Sequence, residues 1–219
     1  MSVGRRIRTV AIDGPAGAGK STLAAGVAAR LGLPRLDTGA MYRAVAWAAL
    51  SRGVEVTDAE AVAQLARTLV IEVGERVVVD GADATTAIRE APVDVAVSAV
   101  AANPAVRAEL VARQRAWVED HGGGVVEGRD IGTAVLPDAD VKVYLTAARD
   151  ERAARRAAQR PDGRSVAEVE SLLARRDHLD STREDSPLAS PADAAADAIV
   201  IDSTGRAAED VLEEVLKCL

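Results

Sequence analysis

Short apolar runs alternate along this chain with longer stretches whose apolar residues recur every three or four positions. The first apolar run is Thr9–Asp13, and Leu23, Val27 and Leu31 follow it at helical spacing. Further runs typical of strands occupy residues 33–37, 125–127, 141–145 and 198–202. Strands that alternate with helices favour a parallel sheet covered on both faces. The pattern therefore predicts an α/β fold with a parallel five-stranded sheet flanked by helices.

The helical stretches carry start and stop signals. Thr57 and Glu60 have the spacing of a capping box, which predicts a helix that runs to about residue 69. Asn103 followed by Pro104 is typical of a helix start, and three glycines end that helix. Further helices are predicted at 40–52, 92–102, 150–160, from the break at 161–164 to about 180, and at 207–217.

One segment interrupts this alternation. Residues 69–73 and 76–81 are rich in Val, and the Gly-Glu pair between them is typical of a β-hairpin turn. We therefore predict a small inserted β-subdomain over about 67–91. The layout that follows is a single domain with its core at 1–55, 100–150 and 190–219 and an insert at about 56–99.

Composition narrows the class of protein. The 219 residues carry a net charge of −7 and only 2% aromatic residues, which argues against nucleic-acid binding through charge or base stacking. Two histidines and one cysteine are too few for an ordinary zinc site. No apolar run reaches membrane-spanning length, and no segment of signal-peptide type precedes the first strand. We therefore expect a cytoplasmic monomer with neither membrane nor nucleic-acid partners.

The strongest chemical signal is a glycine-rich loop directly after the first strand, which fits the pattern G-x-x-x-x-G-K-[ST]. Glycines let the backbone curl so that successive N–H groups point at one anion. Lys20 adds a positive charge for the outer phosphates of a nucleoside triphosphate, and Ser21 offers a hydroxyl to the accompanying Mg²⁺. Thr22 and the residues after it open a helix whose N-terminus also favours an anion. The alternative is a Gly- and Ala-rich turn that binds nothing. The expected binding residues are Gly14, Pro15, Ala16, Gly17, Ala18, Gly19, Lys20, Ser21 and Thr22.

Three further motifs resemble those of bacterial-type cytidylate (CMP) kinases, in the same order and over nearly the whole chain. They are DTGAMYR at 37–43, EGRDIGT at 127–133 and RRDHLDSTR at 175–183. The insert at 67–91 is similar to the small β-subdomain of that family, which lies in the region that binds the monophosphate. One departure is the run at 133–137, which lacks the Phe common in the family and alters packing only. The resemblance implies a P-loop nucleoside monophosphate kinase fold.

The resemblance also implies a reaction. ATP transfers its γ-phosphoryl group directly and in line to CMP or dCMP, with Mg²⁺ and without a protein nucleophile. Positioning and charge neutralisation then supply the catalysis. The residues expected to neutralise the transferring group are Lys20, Arg129, Arg152, Arg155 and Arg183. Ser21 is the expected metal ligand, and either Asp13 or Asp130 is a candidate for an outer carboxylate.

The acceptor nucleotide is assigned by the same resemblance. Cytosine presents an amino donor that a carboxylate accepts, whereas uracil presents an acceptor there, so a carboxylate discriminates between them. The implied contacts are Arg43, Arg129 and Arg183 to the phosphate, Ser98, Arg107 and Asp130 to the base, Arg176 and Asp180 to the ribose, and Thr38 to the nucleotide. In the alternative interpretation, these residues do not bind a nucleotide. The arginines are then solvated, Ser98 lies on a helix surface, residues 176 and 180 form an i,i+4 ion pair, and Thr38 is a helix N-cap.

A basic run straddles the break at 161–163. It consists of Arg152, Arg155, Arg156, Arg160 and Arg164. Arginines on a mobile flap close over phosphates and exclude water, so we expect a short lid at about 152–168. The alternative is a solvated helix face whose arginines pair with Asp150 and Glu151.

Two other functions are alternatives to phosphoryl transfer from ATP to CMP or dCMP. One is a small P-loop kinase for UMP, AMP or a phosphate-free acceptor such as shikimate, which the base-contacting set of Ser98, Arg107 and Asp130 disfavours. The other is a nucleotide-binding switch without turnover, which the presence of Lys20 and Ser21 disfavours. A purely structural role has no support beyond the general fact that a fold does not dictate function.

Overall fold

The computed structural model describes residues 7–159 and 163–219, and two sheets organise the chain. The strands are β1 (Thr9–Asp13), β2 (Arg35–Asp37), β3 (Ile71–Val73), β4 (Val77–Val79), β5 (Ala82–Asp83), β6 (Gly124–Glu127), β7 (Val141–Thr146) and β8 (Ile199–Asp202). Five of them form a parallel sheet in the order β2-β6-β1-β7-β8. The predicted parallel five-stranded sheet is therefore confirmed.

Eight helices are described between the strands. They are α1 (Lys20–Leu31), α2 (Thr38–Ser51), α3 (Ala59–Thr68), α4 (Ala91–Ala102), α5 (Pro104–Asp120), α6 (Arg149–Gln159), α7 (Val166–Thr182) and α8 (Ala208–Lys217). A 3₁₀ turn at Ala87–Arg89 and a π turn at Ile131–Val135 complete the set. Helix α1 begins two residues before its predicted start, because Gly19 adopts φ 98° and serves as the N-cap.

Helices cover both faces of the parallel sheet. Val10 and Ile12 pack on one face among residues of α1 and α8, whereas Ala11 packs on the other among residues of α2 to α5. This alternation along β1 is what a strand buried on both faces requires. Helices α1 and α8 approach closely, since a Cβ at Gly26 would lie 2.7 Å from a methyl group of Leu212.

The inserted segment contains three short antiparallel strands, in the order β3-β4-β5. The predicted hairpin corresponds to β3 and β4, but the second predicted strand was too long and β5 was missed. The chain turns at Asp80 and Gly81, which adopt φ 48° and 82°, and this turn starts the third strand.

Arg113 of α5 donates to three carbonyl oxygens at the end of α3, so that helix end is anchored to the long helix α5.

Two predicted helix caps were wrong by one residue. Asp58, not Thr57, caps α3 by accepting from the backbone N–H of Ala61. Asp37, not Thr38, caps α2 by accepting from Ala40, and Thr38 is the first helical residue. In both places an Asp directly adjoins the predicted residue and is an equally good cap. The predicted cap at Asn103 is confirmed, with Pro104 at the first helical position.

The remaining sequence predictions concern membrane-spanning helices and the break after α6. Within residues 7–159 and 163–219, no single helix is long and apolar enough to cross a membrane; α4 and α5, bent by 92° where they meet, pass as a pair on length and composition alone. Arg160 and the first two residues of the predicted break lie outside the described residues.

Candidate active site

Four strands of the parallel sheet end in an acidic residue, and three of these residues adjoin the sequence motifs. Asp13 ends β1, Asp37 ends β2 and Glu127 ends β6. The phosphate-type loop follows β1, helix α2 follows β2, and the Gly-Arg-Asp segment follows β6. Ligands of open α/β sheets bind outside the carboxyl ends of the strands. The topology therefore brings the three sequence motifs to one place.

The glycine-rich loop is formed almost entirely by backbone. Gly14 adopts φ 141°, and a Cβ there would lie 2.0 Å from the carbonyl oxygen of Leu145, so only glycine fits. Gly19, the N-cap of α1, has no side chain to cap the helix, and its carbonyl accepts from the N–H groups of Thr22 and Leu23, which leaves those of Lys20 and Ser21. The N–H groups at this helix start are therefore open to an anion.

Lys20 is buried and folds back onto its own loop. Its Nζ donates to the carbonyl oxygens of Gly14 and Pro15 at 2.8 and 2.7 Å. Burial, reinforced by the nearby charge of Arg129, lowers the pKa of Lys20 to about 7. A bound phosphate group would reverse this shift, because an adjacent anion favours the charged ammonium.

Glu127 contacts the residue expected to hold the metal. Ser21 Oγ donates to Glu127 Oε2 at 2.8 Å, and the other carboxylate oxygen is buried without a hydrogen-bond partner among the described residues. Burial, with the charge of Asp37, raises the pKa of Glu127 to about 7. A hydroxyl beside a carboxylate with an unsatisfied oxygen is the donor set that Mg²⁺ and its water shell prefer. The residues present fit that ion.

Glu127 was not among the residues predicted from the sequence. The available signal was its position as the last residue of a buried strand, which it shares with Asp13 and Asp37. Of the two carboxylates named for the metal, Asp13 uses both oxygens elsewhere, on the backbone N–H groups of Ile131 and Gly132 at 2.7 Å each. Asp13 therefore fixes the segment that carries Arg129 and Asp130. Burial raises its pKa to about 6.

Arginines from several elements face the same space as Lys20. Arg43 lies on α2, Arg129 follows β6, Arg176 lies on α7 and Arg183 follows α7. Burial, then the charges of Arg129 and Arg43, lower the pKa of Arg176 to about 9. Nε of Arg176 and an Nη atom of Arg183 are buried without a hydrogen-bond partner among the described residues. Crowded cations with unused donors indicate a site for an anionic ligand.

Carboxylates contact these arginines. Arg43 pairs with Asp94, and Arg129 donates to Asp180 at 3.0 Å. Arg176 lies 3.9 Å from the same Asp180, so the i,i+4 ion pair considered from the sequence is present. Burial alone would raise the pKa of Asp180, but Arg129 and Arg176 hold it below its ordinary value.

A second cluster surrounds Asp130. Arg107 donates from Nη2 to Asp130 at 2.5 Å, and an Nη atom of Arg183 lies 3.3 Å from the other Asp130 oxygen. Arg107 also reaches the hydroxyl of Tyr42 at 3.4 Å. Ser98 of α4 is buried in the lining of the same cavity. Carboxylate, guanidinium and hydroxyl groups are thus gathered where a polar heterocycle can be read by hydrogen bonds.

The predicted lid arginines are arranged differently from one another. Arg152 is buried and donates to the carbonyl of Ala16 at 2.8 Å and to Asp177 at 2.6 Å. Arg155 donates to Glu151, as the solvated-face alternative predicts, and also to the hydroxyl and carbonyl of Ser203. Arg156 lies 3.6 Å from Asp94 on the opposite helix α4. These arginines therefore lie beside the glycine-rich loop, next to β8 and across from α4.

Most of the predicted site residues line one cavity of about 160 Å³, and the loop residues that do not are Gly14, Pro15, Ala18, Gly19 and Thr22. The predicted residues that line it are Ala16, Gly17, Lys20, Ser21, Thr38, Arg43, Ser98, Arg107, Arg129, Asp130, Arg176, Asp180 and Arg183. Arg152 and Arg155 do not line it. The lining residues that were not predicted as site residues include Asp37, Tyr42, Arg89 and Glu127. A larger, mostly apolar groove of about 610 Å³ between α4 and α7 shares Ser98 and Arg176 with the cavity.

The fold and this site define a P-loop kinase: a parallel sheet, a lysine-bearing glycine loop at its carboxyl edge and arginines opposite. A sequence model described as cytidylate kinase matches residues 10–219, and the chain therefore belongs to the cytidylate kinase family of phosphotransferases.

Individual relatives agree with this assignment. The chain is 48% identical over 222 residues to the cytidylate kinase of Geobacillus kaustophilus (strain HTA426), covering 97% of this chain and 96% of that protein. It is 47% identical to the cytidylate kinase of Mycolicibacterium paratuberculosis (strain ATCC BAA-968 / K-10), covering 94% and 92%. A crystal structure of an uncharacterized protein from Eubacterium ventriosum ATCC 27560 matches with a TM-score of 0.55 over 96% of this chain and 97% of that one; at 11% identity this shows the fold alone.

Proposed function

We propose that this protein transfers the γ-phosphoryl group of ATP to CMP and dCMP with Mg²⁺. The observation that carries the proposal is the single cavity in which Lys20 and Ser21 face Arg43, Arg129 and the Asp130 cluster. A phosphate donor, a phosphate acceptor and a base-reading group are what a monophosphate kinase must bring together.

The donor half binds the triphosphate through the loop backbone and the start of α1. Lys20 then exchanges its two carbonyl partners for phosphate oxygens, which are the stronger partners because they are charged. Mg²⁺, when bound, neutralises charge on the phosphates. Ser21 would hold it directly and Glu127 would hold its water shell.

The acceptor half orients CMP. Arg43, Arg129 and Arg183 are proposed to bind its phosphate, and the Nη atom of Arg183 that lies 3.3 Å from Asp130 makes no hydrogen bond to a described residue, so it can donate to a phosphate oxygen. Arg176 and Asp180 are proposed to contact the ribose, and Thr38 to contact the nucleotide. Thr38 already donates to the carbonyl of Glu127 at 2.7 Å, so its role includes fixing that residue.

The base is proposed to lie against Ser98, Arg107 and Asp130. Asp130 accepts from the cytosine amino group, whereas the uracil oxygen at that position would face a carboxylate. Because a phosphate oxygen of the acceptor is already ionised near neutral pH, no general base is required. Exclusion of water by the segment that carries Arg152 and Arg155 favours transfer over hydrolysis.

The proposal extends to the setting of the reaction. We place the protein in the cytoplasm as a monomer, with small-molecule substrates and without nucleic-acid or membrane partners. The supports are the net charge of −7, the low aromatic content and the absence of any signal for another partner in the sequence.

The experiment that tests the proposed function is an ADP-release assay with ATP and Mg²⁺ against CMP, dCMP, UMP, AMP, GMP and dTMP. Strong turnover with CMP and dCMP, weak turnover with UMP and none with the others is expected. Preference for another monophosphate would leave the phosphate chemistry intact and overturn the base assignment. ATP binding without turnover on any acceptor would favour a nucleotide-binding switch.

A further inference from the structure

Asp185 contacts the proposed base-reading cluster from a segment that no sequence motif had singled out. Its Oδ2 accepts from Nε of Arg107 at 3.1 Å. The Arg107 side chain is 3% exposed, whereas that of Asp185 is 50% exposed. A surface carboxylate thus reaches inward to a buried guanidinium that also contacts Asp130.

The turn that carries Asp185 is well braced. Arg183 donates from Nε to the carbonyl of Ser186 at 2.6 Å, and the N–H of Leu188 donates to the carbonyl of Asp180 at 2.8 Å. Leu188 is buried, and Ser186 adopts φ 48°, which is uncommon for a residue other than glycine. A turn in this conformation is held by its surroundings and sets the direction of the neighbouring Asp185.

Arg107 is held at three corners of its guanidinium group. Nε donates to Asp185, Nη1 to the hydroxyl of Tyr42 and Nη2 to one oxygen of Asp130. A guanidinium has five N–H donors, so two are left for a ligand. With Nε occupied, Arg107 meets Asp130 through a single nitrogen rather than through the two-pronged pairing that arginine and carboxylate favour.

We propose that Asp185 is a positioning residue for base selection: it holds Arg107 so that Asp130 keeps accepting capacity for the amino group of cytosine. One oxygen of Asp130 already lies 3.3 Å from Arg183. Without Asp185, the guanidinium of Arg107 turns to pair with both oxygens of Asp130, and less accepting capacity is left for the base. This inference rests on the proposed function, because it concerns how the same acceptor site reads its base.

The test is steady-state kinetics of Asp185→Ala with CMP and with UMP at saturating ATP. We expect KM for CMP to rise about tenfold, kcat to stay within about twofold and KM for ATP to be unchanged, since one hydrogen bond to a charged group is lost. The ratio of kcat/KM for CMP to that for UMP is expected to fall about tenfold, because only cytosine uses the freed acceptor. Asp185→Asn, which retains an oxygen for Nε, is expected to restore most of both values.

Asp193→Ala is the matched control. Asp193 lies on the same segment and accepts from the hydroxyl of Ser190, outside the site, so unchanged kinetics are expected. The inference is overturned if Asp185→Ala leaves KM for CMP and the CMP to UMP ratio unchanged, or if it weakens CMP, UMP and ATP equally. Failure of the wild-type protein to turn over CMP would instead overturn the proposed function, which keeps the two results distinct.

Discussion

The proposed donor half and the proposed acceptor half of the site are built from different parts of the chain. The donor half is nine consecutive residues, which form the glycine-rich loop and the first residues of α1. The acceptor half is a set of side chains from α2, α4, α5, α7 and the segment after β6. The donor half is contiguous in sequence, whereas the acceptor half forms only when distant elements pack together. Substitutions should therefore affect the two halves differently, and the donor half is the easier one to predict from sequence.

The two halves also differ in the groups that their cationic side chains contact. In the donor half, one buried ammonium rests on neutral carbonyls. In the acceptor half, arginines rest on carboxylates, as Arg129 does on Asp180 and Arg107 on Asp130. On the proposed function, an acceptor nucleotide must therefore compete with full negative charges, whereas a triphosphate displaces only dipoles.

Replacing Lys20, the lysine of the donor half, is expected to have the largest effect on kcat. Lys20→Met should lower kcat by about 10²–10³, as the loss of one preorganised group on developing charge does, while KM for CMP changes little. Steady-state kinetics with both substrates varied measures this. Lys217→Met is the control, because Lys217 is exposed at the end of α8 and does not line the cavity. A rise in KM for CMP as large as the loss in kcat would contradict the separation of the halves.

Asp13 joins the two halves, since it precedes the donor loop and holds the acceptor segment, and its titration should be visible in stability. Burial raises its pKa from 3.8 to about 6, so the folded state keeps a proton that the unfolded chain has lost. Stability from this group is full below the unfolded pKa and is lost as pH rises through about 6. Relative to Asp13→Asn, the wild type should lose about 2 kcal/mol between about pH 4 and pH 7.

Urea unfolding of both ligand-free proteins across that pH range is the measurement. Carboxylates far from Asp13 titrate equally in the two proteins and cancel in the difference. A difference that is flat with pH would mean that Asp13 is ionised throughout, and that its contacts with Ile131 and Gly132 outweigh its burial.

The acceptor half should respond to a substitution with a smaller and more selective effect. Arg43→Ala is expected to raise KM for CMP about 10- to 100-fold, since a hydrogen bond between charged groups contributes about 1.5–3 kcal/mol, and to leave KM for ATP unchanged. Arg52→Ala serves as the control, because Arg52 is exposed at the end of the same helix and pairs with Asp80. Equal changes in both KM values would show that the halves are not separable at this residue.

The smallest effect is expected at the start of α7, the helix that supplies Arg176 and Asp180. Ser165 and Glu168 form a reciprocal capping box there. Ser165→Ala should reduce the free energy of unfolding by about 1 kcal/mol and leave KM for CMP unchanged, because the acceptor residues lie three turns further on. Urea unfolding and kinetics measure the two quantities, with the exposed Ser171→Ala on the same helix for comparison. A shift in KM for CMP would show that acceptor binding depends on order at this helix start.

The donor loop and the parallel sheet could be predicted from the sequence, because both depend on patterns of residues that are adjacent along the chain. The apolar runs gave five strands, and the glycine pattern gave the loop. The two-residue strand β5 was missed, because two residues carry no period. The caps at Asp37 and Asp58 were displaced by one position, because adjacent residues cap equally well.

The acceptor residues were named by resemblance, and their roles there remain predictions. Their partners lie far away in sequence: Arg43 meets Asp94, and Arg107 meets Asp185, 78 positions along the chain. No spacing rule reports such pairs, since they form only when α4, α5 and the turn after α7 converge. Glu127 was missed for the same reason, because its importance comes from contact with Ser21, 106 positions before it.

The resting place of Lys20 also bears on how the site empties. Once a nucleotide leaves, an ammonium group in a buried pocket would stand without partners, and that unfavourable state would slow departure by favouring the bound one. Here the carbonyls of Gly14 and Pro15 receive the ammonium as the phosphates withdraw. The loop thus supplies its own substitute for the phosphates, so on the proposed function these carbonyls favour release of the nucleotide after each turnover.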